Sequence, residues 1–383
     1  MAVPSGSETQ KPHEVKGRLV WLITGASSGL GLALVQRCLV RGDYVIATAR
    51  TKSKMDALLP DLFDEVREDA ASYQSKMRMK TLDEYLCEPP EKRLHVLEMD
   101  VTESAKVIRE KVKDVVDGSW GRVDVLVNNA GMAIAGVTEE SGSEAMQIVF
   151  ATNLFGAVNV TNAVLPYMRE RRSGTIVMTG SRSAWRNEFA GVGLYAASKA
   201  ALHSYTETLS AEVRSFNIRT LILAPGSFVT PGIYPPLPPL PPPSSSTSTS
   251  TSDPSDPAPA ATSDSEDHTP PEEYANRIPA YDDVRTQMIH RMLKMKNDPP
   301  ARGDPKLGME VVVDLVRGEG RAGEILRGRG GADDHVEGPE AEEWPMWLFL
   351  GEDGQRDVRA RNERVGRCLD VWGEVGRGLE MKG

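Results

Sequence analysis

The chain has little of what builds cross-linked, nucleic-acid-binding or membrane-bound proteins. Its 383 residues contain only three cysteines, Cys38, Cys87 and Cys368, which are far apart and form no C-x-x-C pair. An odd number of dispersed cysteines favours a reducing compartment and predicts neither a disulfide framework nor a metal site. The formal net charge of −10 argues against a general binder of nucleic acid or anionic membranes. We therefore expect a soluble, cytoplasmic protein.

Targeting and membrane signals are also missing from the pattern. Residues 1–16 are polar and have neither an apolar core nor an arginine-rich stretch, so they predict no signal or transit peptide. No segment approaches the length of a membrane span. We interpret residues 1–16 as a flexible N-terminus and residues 17–383 as a single domain.

Short apolar runs alternate with helical periodicity along most of the chain. The predicted strands are 19–24, 44–49, 94–98, 123–127, 175–179, 218–223 and 344–350. The predicted helices are 29–41, 103–116, 144–172, 194–216, 273–296, 306–317 and 353–375. Strands that alternate with helices predict an α/β fold, a doubly wound parallel sheet of about seven strands with helices on both faces.

Two stretches interrupt this alternation. Residues 52–93 are charged and helix-permissive, and they are interpreted as a partly helical insertion. Residues 235–271 are rich in Pro, Ser and Thr, and such a composition predicts disorder because it cannot bury enough apolar surface. The run PPLPPLPPP within it has two interpretations, a plain linker or a polyproline-II ligand for a partner.

A glycine cluster connects the first predicted strand to the first predicted helix. Gly25 permits the tight turn, Gly29 lets the backbone approach a pyrophosphate, and Gly31 lets helix and sheet pack closely. The phosphates would then meet free N–H groups at the helix N-terminus. A tight turn without a ligand is the alternative. The predicted phosphate-binding residues of this loop are Thr24, Gly25, Ser27, Ser28, Gly29, Leu30 and Gly31.

The end of the second predicted strand bears on the choice of cofactor. An acidic residue there would bind the ribose 2′-OH of NAD, whereas an arginine would pair with the 2′-phosphate of NADP. The strand ends in Ala49, and Arg50 follows. The sequence therefore predicts NADP(H), unless Arg50 is only a solvated surface charge.

Tyr195 and Lys199 form a Y-x-x-x-K pair at the start of a predicted helix. Residues four apart share one helix face, so the phenol and the ammonium can point into one cleft. A nearby lysine charge lowers the pKa of a tyrosine toward the range useful for acid–base catalysis. On its own the pattern is common by chance, and its weight comes from its order after the glycine loop.

The spacing T-G-x-x-x-G-x-G, the sequence Asn128-Asn129-Ala130-Gly131 and the Y-x-x-x-K pair together resemble the short-chain dehydrogenase/reductase family. The resemblance covers residues 19–230 and implies a Rossmann-type oxidoreductase. It implies that Asn128, Ala130 and Gly131 brace the sheet and line the adenosine side. It further implies cofactor contacts from Asp100, Val101, Pro225, Gly226, Phe228 and Thr230. Tyr195 and Lys199 are also expected to contact the cofactor, with Lys199 on the ribose. Asp100 has a second interpretation as a helix N-cap.

The same resemblance supplies two further catalytic residues. Ser181 directly follows a strand and would hold the substrate oxygen, but the spacing to Tyr195 departs from the family by one residue, so Ser183 is a rival. Asn153 matches a family residue that is thought to hold a water linking Lys199 to solvent. Through the long helices, the resemblance also implies a possible homo-oligomer.

We therefore expect an NADP(H)-dependent oxidoreductase that transfers a hydride between the nicotinamide and a carbonyl or secondary alcohol of a small molecule. Apolar residues in the predicted pocket loops favour an apolar substrate: Met132, Ile134, Trp185 and Phe189. The alternative is a non-catalytic NADP(H)-binding regulator or scaffold with a Pro-rich interaction segment.

Overall fold

The structure is a computed structural model that describes residues 17–77, 88–230, 277–297, 302–327 and 344–377. The predicted flexible N-terminus, 1–16, and the predicted Pro/Ser/Thr-rich insertion, 235–271, lie outside the described residues.

A seven-stranded parallel sheet forms the centre of the fold. Its strands are β1 (Val20–Ile23), β2 (Tyr44–Ala49), β3 (Leu94–Glu98), β4 (Val125–Asn128), β5 (Gly174–Thr179), β6 (Ile218–Pro225) and β7 (Trp347–Leu350). Their spatial order is β3-β2-β1-β4-β5-β6-β7, and every neighbouring pair is parallel. The order reverses direction between β1 and β4, as in doubly wound nucleotide-binding sheets. The predicted fold class is confirmed.

Helices cover both faces of the sheet. They are α1 (Gly29–Val40), α2 (Lys52–Asp56), α3 (Leu59–Met77), α4 (Ala105–Asp117), α5 (Thr138–Phe150), α6 (Ala157–Arg171), α7 (Gly193–Val213), α8 (Asp282–Asn297), α9 (Pro305–Arg317), α10 (Gly320–Leu326) and α11 (Glu352–Trp372).

Alternation along the strands divides the core into two clusters. In β1, Trp21 and Ile23 pack with α1, α3 and α9 on one face. Val20 and Leu22 pack with α4, α6 and α7 on the other face. Successive side chains of a strand point to opposite faces, and both faces of this sheet are buried. The strands are therefore apolar at nearly every position.

The segment after the predicted Pro-rich insertion belongs to the same core. Met309, Val312 and Val313 of α9 are buried in the cluster on the α1 face. Arg41, at the end of α1, forms ion pairs with Glu310 and Asp314 of α9. Helix α9 therefore completes the layer that α1 begins.

The long predicted helix 144–172 differs from the observed one. The helical run begins at Thr138, has non-helical backbone at Gly142 (φ 64°, ψ −170°), and contains a π-helical turn, Ala151–Gly156, between α5 and α6. Thr138–Arg171 is 34 residues long, and its most apolar window has a mean hydropathy of 1.5 and is 50% buried in the protein. The expectation that no segment approaches a membrane span was wrong by length and composition. Burial of half of this window inside the protein is typical of a core helix, and a single such helix is weak evidence for a membrane span.

Other boundaries also moved. Strand β7 begins at Trp347 instead of residue 344, and the indole N–H of Trp344 donates to the Thr220 carbonyl at 2.7 Å. Helix α10 was not predicted. The predicted insertion 52–93 contains α2, α3 and a short helical turn, Pro90–Lys92, just before β3. Its residues 78–87 lie outside the described part of the chain.

Candidate active site

The glycine loop after β1 needs its glycines for backbone geometry. Gly25 and Gly29 have φ values of +63° and +57°, a region that L side chains rarely adopt. A Cβ added to Gly31 would lie 2.3 Å from the Gly25 carbonyl oxygen and 2.5 Å from the Asn129 amide nitrogen. The loop therefore folds back closely on the start of α1, as the sequence predicted.

A second loop, after β4, holds the glycine loop in place. Asn129 Nδ2 donates to the carbonyl oxygens of Thr24 and Gly25 at 3.0 and 3.1 Å. Thr24 Oγ1 accepts the backbone N–H groups of Asn129 and Ala130 at 2.9 and 3.0 Å. The Thr24 hydroxyl is thus a brace between loops, and Asn129 was not among the predicted binding residues. Its position inside N-N-A-G was the signal.

The loop offers the surroundings that a dinucleotide needs. It lies at the carboxyl edge of the sheet where the strand order reverses, which is where such folds bind nucleotides. Ser28 is the N-cap residue of α1, is exposed, and makes no side-chain capping bond. A Cβ on Gly29 would touch Thr230 at 3.4 Å. Ser27, Ser28, Leu30 and Thr230 therefore surround a helix N-terminus that can receive phosphate.

Arg50 lies at the same edge. It is exposed and directly follows β2. The end of β2 touches the glycine loop, because the Ala26 N–H donates to the Thr48 carbonyl at 2.9 Å.

Three residues predicted to contact the cofactor use their side chains elsewhere. Asn128 Nδ2 donates to Thr161 Oγ1 at 2.9 Å inside the core. Val101 is 6% exposed and packs in the cluster with α4 and α6. The ring of Phe228 is 5% exposed and packs in the cluster with α9. These side chains support the loops from beneath, and only their backbones can face a ligand.

The capping interpretation of Asp100 was wrong. Its Oδ1 accepts from the backbone N–H and the hydroxyl of Thr102, both at 2.8 Å, and so closes a turn. The N-cap of α4 is Ser104, whose side chain accepts from the Val107 N–H.

The predicted catalytic residues converge at the carboxyl end of β5. Ser181 follows the strand, and Tyr195 and Lys199 lie on α7. The Ser181 side chain acts on the Tyr195 phenol in the direction that lowers its pKa, and Lys199 Nζ lies 5.9 Å from the centre of the tyrosine ring. The rival Ser183 supplies its backbone N–H to Ser181 Oγ at 3.1 Å. The structure thus brings Ser181 to Tyr195.

Burial dominates the electrostatics of this group. It raises the pKa of Tyr195, and the hydrogen bond to Ser181 acts in the lowering direction. Burial also lowers the pKa of Lys199 to about 8. The sequence predicted a lowered pKa for Tyr195, whereas burial by the protein's own residues raises it.

Asn153 lies in the π-helical turn and is 1% exposed. Its Oδ1 accepts the Met132 N–H at 2.8 Å, and its Nδ2 donates to the Met132 carbonyl at 2.9 Å and to Ser198 Oγ at 2.9 Å. A Cβ on Gly131 would lie 3.3 Å from Asn153 Oδ1 and 3.5 Å from Lys199 Nζ. Asn153 therefore ties the loop after β4 to the helix that carries Tyr195 and Lys199.

The two halves of the site meet through consecutive residues. Ala130 touches the glycine loop, since a Cβ on Gly25 would lie 2.8 Å from Ala130 Cα. Gly131, the next residue, lies beside Lys199 and Asn153. A ligand that spans this junction would contact the phosphate-binding loop at one end and the Ser-Tyr-Lys group at the other.

The loop after β6 is held by residues near the C-terminal end of the described chain. Gly226 N–H donates to the Leu350 carbonyl at 2.7 Å, and Pro225 pairs with Leu350. Ser227 N–H donates to Asp353 Oδ2 at 2.9 Å. The predicted nicotinamide loop is therefore held by β7 and α11, which lie outside the region covered by the resemblance.

The apolar residues predicted to wall a substrate pocket have packing partners. Trp185 contacts the rings of His203, Trp347 and Phe349 at centroid distances of 4.7, 4.9 and 5.3 Å. Phe189 lies between the guanidinium groups of Arg186 and Arg291, at 4.5 and 3.3 Å. Ile134 packs against the small cluster of Ala145, Val149 and Leu194. These side chains therefore do not by themselves favour an apolar substrate.

Known proteins resemble this chain over the region of the site. The family described as short chain dehydrogenase matches residues 66–233. A 3-oxoacyl-acyl-carrier-protein reductase (FabG) of Thermotoga maritima is 35% identical over 213 residues, which are 55% of this chain and 75% of that protein. The 3-ketodihydrosphingosine reductase of Bacteroides thetaiotaomicron is 35% identical over 212 residues, 55% of this chain and 64% of the relative. Human retinol dehydrogenase 8 is 36% identical over 212 residues, 55% and 58% of the two chains.

A solved structure extends the likeness to the rest of the chain. The crystal structure of a short-chain dehydrogenase from Streptomyces avermitilis has a TM-score of 0.63 and 27% identity, and the match covers 95% of this chain and 99% of that one. The parallel sheet and the glycine loop after β1 define a Rossmann-type fold. The chain belongs to the short-chain dehydrogenase/reductase family. It spans 64–66% of the length of the first curated relatives that it matches.

Proposed function

We propose that this protein is an NADP(H)-dependent oxidoreductase that interconverts a carbonyl and a secondary alcohol, with Tyr195 as the acid–base residue. The carrying observation is the grouping of Ser181 and Lys199 around Tyr195: the Ser181 side chain acts to lower the pKa of the phenol, and Lys199 Nζ lies 5.9 Å from its ring centre on the same helix face. The names of three relatives describe a ketone, a 3-oxoacyl group and an alcohol, which supports this reaction class.

In the reductive direction, NADPH bound at this site would supply the hydride that reduces a carbonyl carbon. Tyr195, whose buried phenol stays protonated at neutral pH, gives its proton to the carbonyl oxygen. The Ser181 hydroxyl hydrogen-bonds that oxygen and stabilises the charge that develops on it. Lys199 places a cation near the phenol, so that the tyrosinate left behind is stabilised.

The test compares the wild type with Tyr195→Phe in NADPH oxidation driven by benzil and decanal as probe carbonyl compounds. We expect kcat/KM to fall by about a hundredfold or more, the range for loss of general acid–base catalysis. NADPH binding, followed by fluorescence, should be retained. Tyr205→Phe, on the same helix and packed against the core cluster that includes Leu202 and Leu209, is the matched control. Full activity in Tyr195→Phe would refute the mechanism.

Cofactor preference is proposed to rest on Arg50. Its exposed guanidinium follows β2 beside the glycine loop, where it can pair with a 2′-phosphate. Fluorescence titration of the wild type should give tighter binding of NADPH than of NADH. Arg50→Gln should weaken NADPH binding by at least about tenfold, or 1.4 kcal/mol, with NADH binding unchanged. Lys52→Gln, an exposed cation two residues away, is the control. Equal affinity for both cofactors in the wild type would remove the assignment.

We also propose that the protein works on a small molecule in the cytoplasm, as a homo-oligomer. Phe155 is 56% exposed and Ile148 is 39% exposed on the long helical run, which supports an apolar contact between copies. Sedimentation of the wild type and of Phe155→Glu tests this. A wild type that sediments as a monomer would contradict it.

A further inference from the structure

His203 is a buried polar residue for which the proposed mechanism has no use. It is 5% exposed and lies on α7 at the next helical step after Tyr195 and Lys199, so the three side chains share one face. Buried polar groups are nearly always hydrogen-bonded, and the partner of this imidazole is informative.

The partner is the backbone of the catalytic serine. Ser181 N–H donates to His203 Nε2 at 3.3 Å, and the contact is buried. The close approach depends on the preceding residue, because a Cβ on Gly180 would lie 2.2 Å from His203 Nε2. The imidazole therefore lies directly beneath the turn that presents Ser181.

Lys199 holds the same turn from its other end. Lys199 Nζ donates to the Thr179 carbonyl at 2.7 Å. The backbone from Thr179 to Ser181 is thus bound twice by side chains of α7, once as an acceptor and once as a donor. The helix that carries Tyr195 thereby fixes the position of the serine.

The imidazole ring is itself held by aromatic neighbours. Its centroid lies 4.7 Å from Trp185 and 4.9 Å from Trp347, the latter in an edge-to-face arrangement at 84°. Such contacts fix the ring plane. A histidine that accepts at Nε2 in its neutral form carries its proton on Nδ1.

Two effects keep the ring neutral. Burial, and to a smaller extent the charge of Lys199, lower the pKa of His203 to about 3. A protonated imidazole would carry a hydrogen on Nε2 and could not accept the Ser181 N–H.

We propose that His203 is a positioning residue whose neutral imidazole accepts the Ser181 backbone N–H and so fixes the serine hydroxyl against Tyr195. This role rests on the proposed function, since it acts on the reaction only through Ser181. No contact of His203 with substrate is invoked.

Two variants separate the hydrogen bond from the packing. His203→Phe keeps a ring between Trp185 and Trp347 but removes the acceptor, whereas His203→Gln keeps an acceptor oxygen and loses the ring. With NADPH and benzil, we expect His203→Phe to lower kcat by about ten- to a hundredfold, the scale of catalytic misplacement. His203→Gln should restore at least part of that loss. KM for benzil and the NADPH affinity should change little in either variant.

A double variant shows whether the effect passes through Ser181. If it does, adding His203→Phe to Ser181→Ala should cost much less than adding it to the wild type. Equal costs in both backgrounds, or wild-type kcat in a folded His203→Phe, would overturn the proposal.

A spectroscopic measurement on the wild-type protein is independent of turnover and of variant folding. Nitrogen-15 NMR of labelled histidine should show one imidazole with its proton on Nδ1 and no titration from pH 5 to 8. A His203 that titrates near its ordinary pKa, or that is protonated on Nε2, would overturn the proposal. If the NMR result holds but the wild type has no Tyr195-dependent turnover, the proposed function fails while the serine-positioning contact stands.

Discussion

Arg182 Nη1 lies 2.8 Å from Asp353 Oδ2 and 3.2 Å from Asp357 Oδ2, across 171 and 175 residues of sequence. Arg182 directly follows Ser181, the predicted catalytic serine, and both acids lie on α11. The same guanidinium donates to Ser227 Oγ at 3.1 Å. One arginine therefore joins the serine turn, the loop after β6 and the C-terminal helix.

Replacement of Arg182 is expected to lower both the stability of the fold and the activity of the protein. Although burial acts to raise it, hydrogen bonds from Ser227 and the charge of Arg182 hold the pKa of Asp353 below its usual value. Arg182→Met should lower the free energy of unfolding in urea by about 1–3 kcal/mol, because two partly buried carboxylates each lose one of their donors. It should also lower kcat/KM, since Ser181 is the adjacent residue.

Arg186→Met provides the matched control. Arg186 Nε lies 3.7 Å from Asp357, and its side chain is 33% exposed, so its ion pair should contribute less than about 1 kcal/mol. Equal effects of the two substitutions on unfolding would show that the Arg182 network is not specially coupled to the fold.

Lys199 sets an expected alkaline limit of the reductive reaction. Burial lowers its pKa to about 8, whereas burial raises the pKa of Tyr195, which stays protonated through this range. The free-enzyme profile of kcat/KM should therefore fall as pH rises through about 8, as the ammonium loses its charge. Lys199→Arg should remove this limb, because arginine does not deprotonate there. A flat profile from pH 7 to 10 in the wild type would contradict the assignment.

His203 should make the protein sensitive to acid. Its pKa is about 3 in the folded chain and about 6.5 in an unfolded one. Between these values the unfolded state binds the proton and the native state does not, so stability decreases as pH falls. The contribution is at most about 5 kcal/mol, of which about 3 kcal/mol is lost by pH 4. Urea unfolding from pH 7 to 4 should give a flatter curve for His203→Gln than for the wild type. His290→Gln, at an exposed position of α8, controls for the loss of a histidine, and identical curves would refute the prediction.

The sheet could be predicted because its determinants are local. Each strand is a short apolar run before a helical repeat, and β2 and β3 have the bounds that the sequence predicted. The break at Gly142 and the π-helical turn at Ala151–Gly156 could not be predicted, since they depend on how the long helix packs. Boundaries set by tertiary contacts are beyond a local pattern.

In the candidate site, too, some features could be predicted from the sequence and others could not. Motif spacing identified the glycine loop and the Ser181, Tyr195 and Lys199 group. It could not show that Phe228 turns its ring into the core, because the space for it is made by Gly303, where a Cβ would lie 2.6 Å from the ring. The role of Asp353 was equally hidden, since its partners lie far away in sequence. His203 was accessible in principle, as it continues the helix face of Tyr195 and Lys199.

Gly31 gives a steric test of the cofactor loop. An alanine there would place Cβ 2.3 Å from the Gly25 carbonyl oxygen and 2.5 Å from Asn129 Nδ2, and the first of these is backbone that cannot move without opening the loop. Gly31→Ala should weaken NADPH binding by more than about tenfold and lower stability by about 1–3 kcal/mol, the cost of overpacking. Gly366→Ala is the matched control, because a Cβ at that position of α11 meets nothing within 4 Å, and alanine should stabilise the helix by up to about 1 kcal/mol. Fluorescence titration and urea unfolding of both variants measure the difference. Undiminished NADPH affinity in Gly31→Ala would mean that the dinucleotide does not bind against this loop.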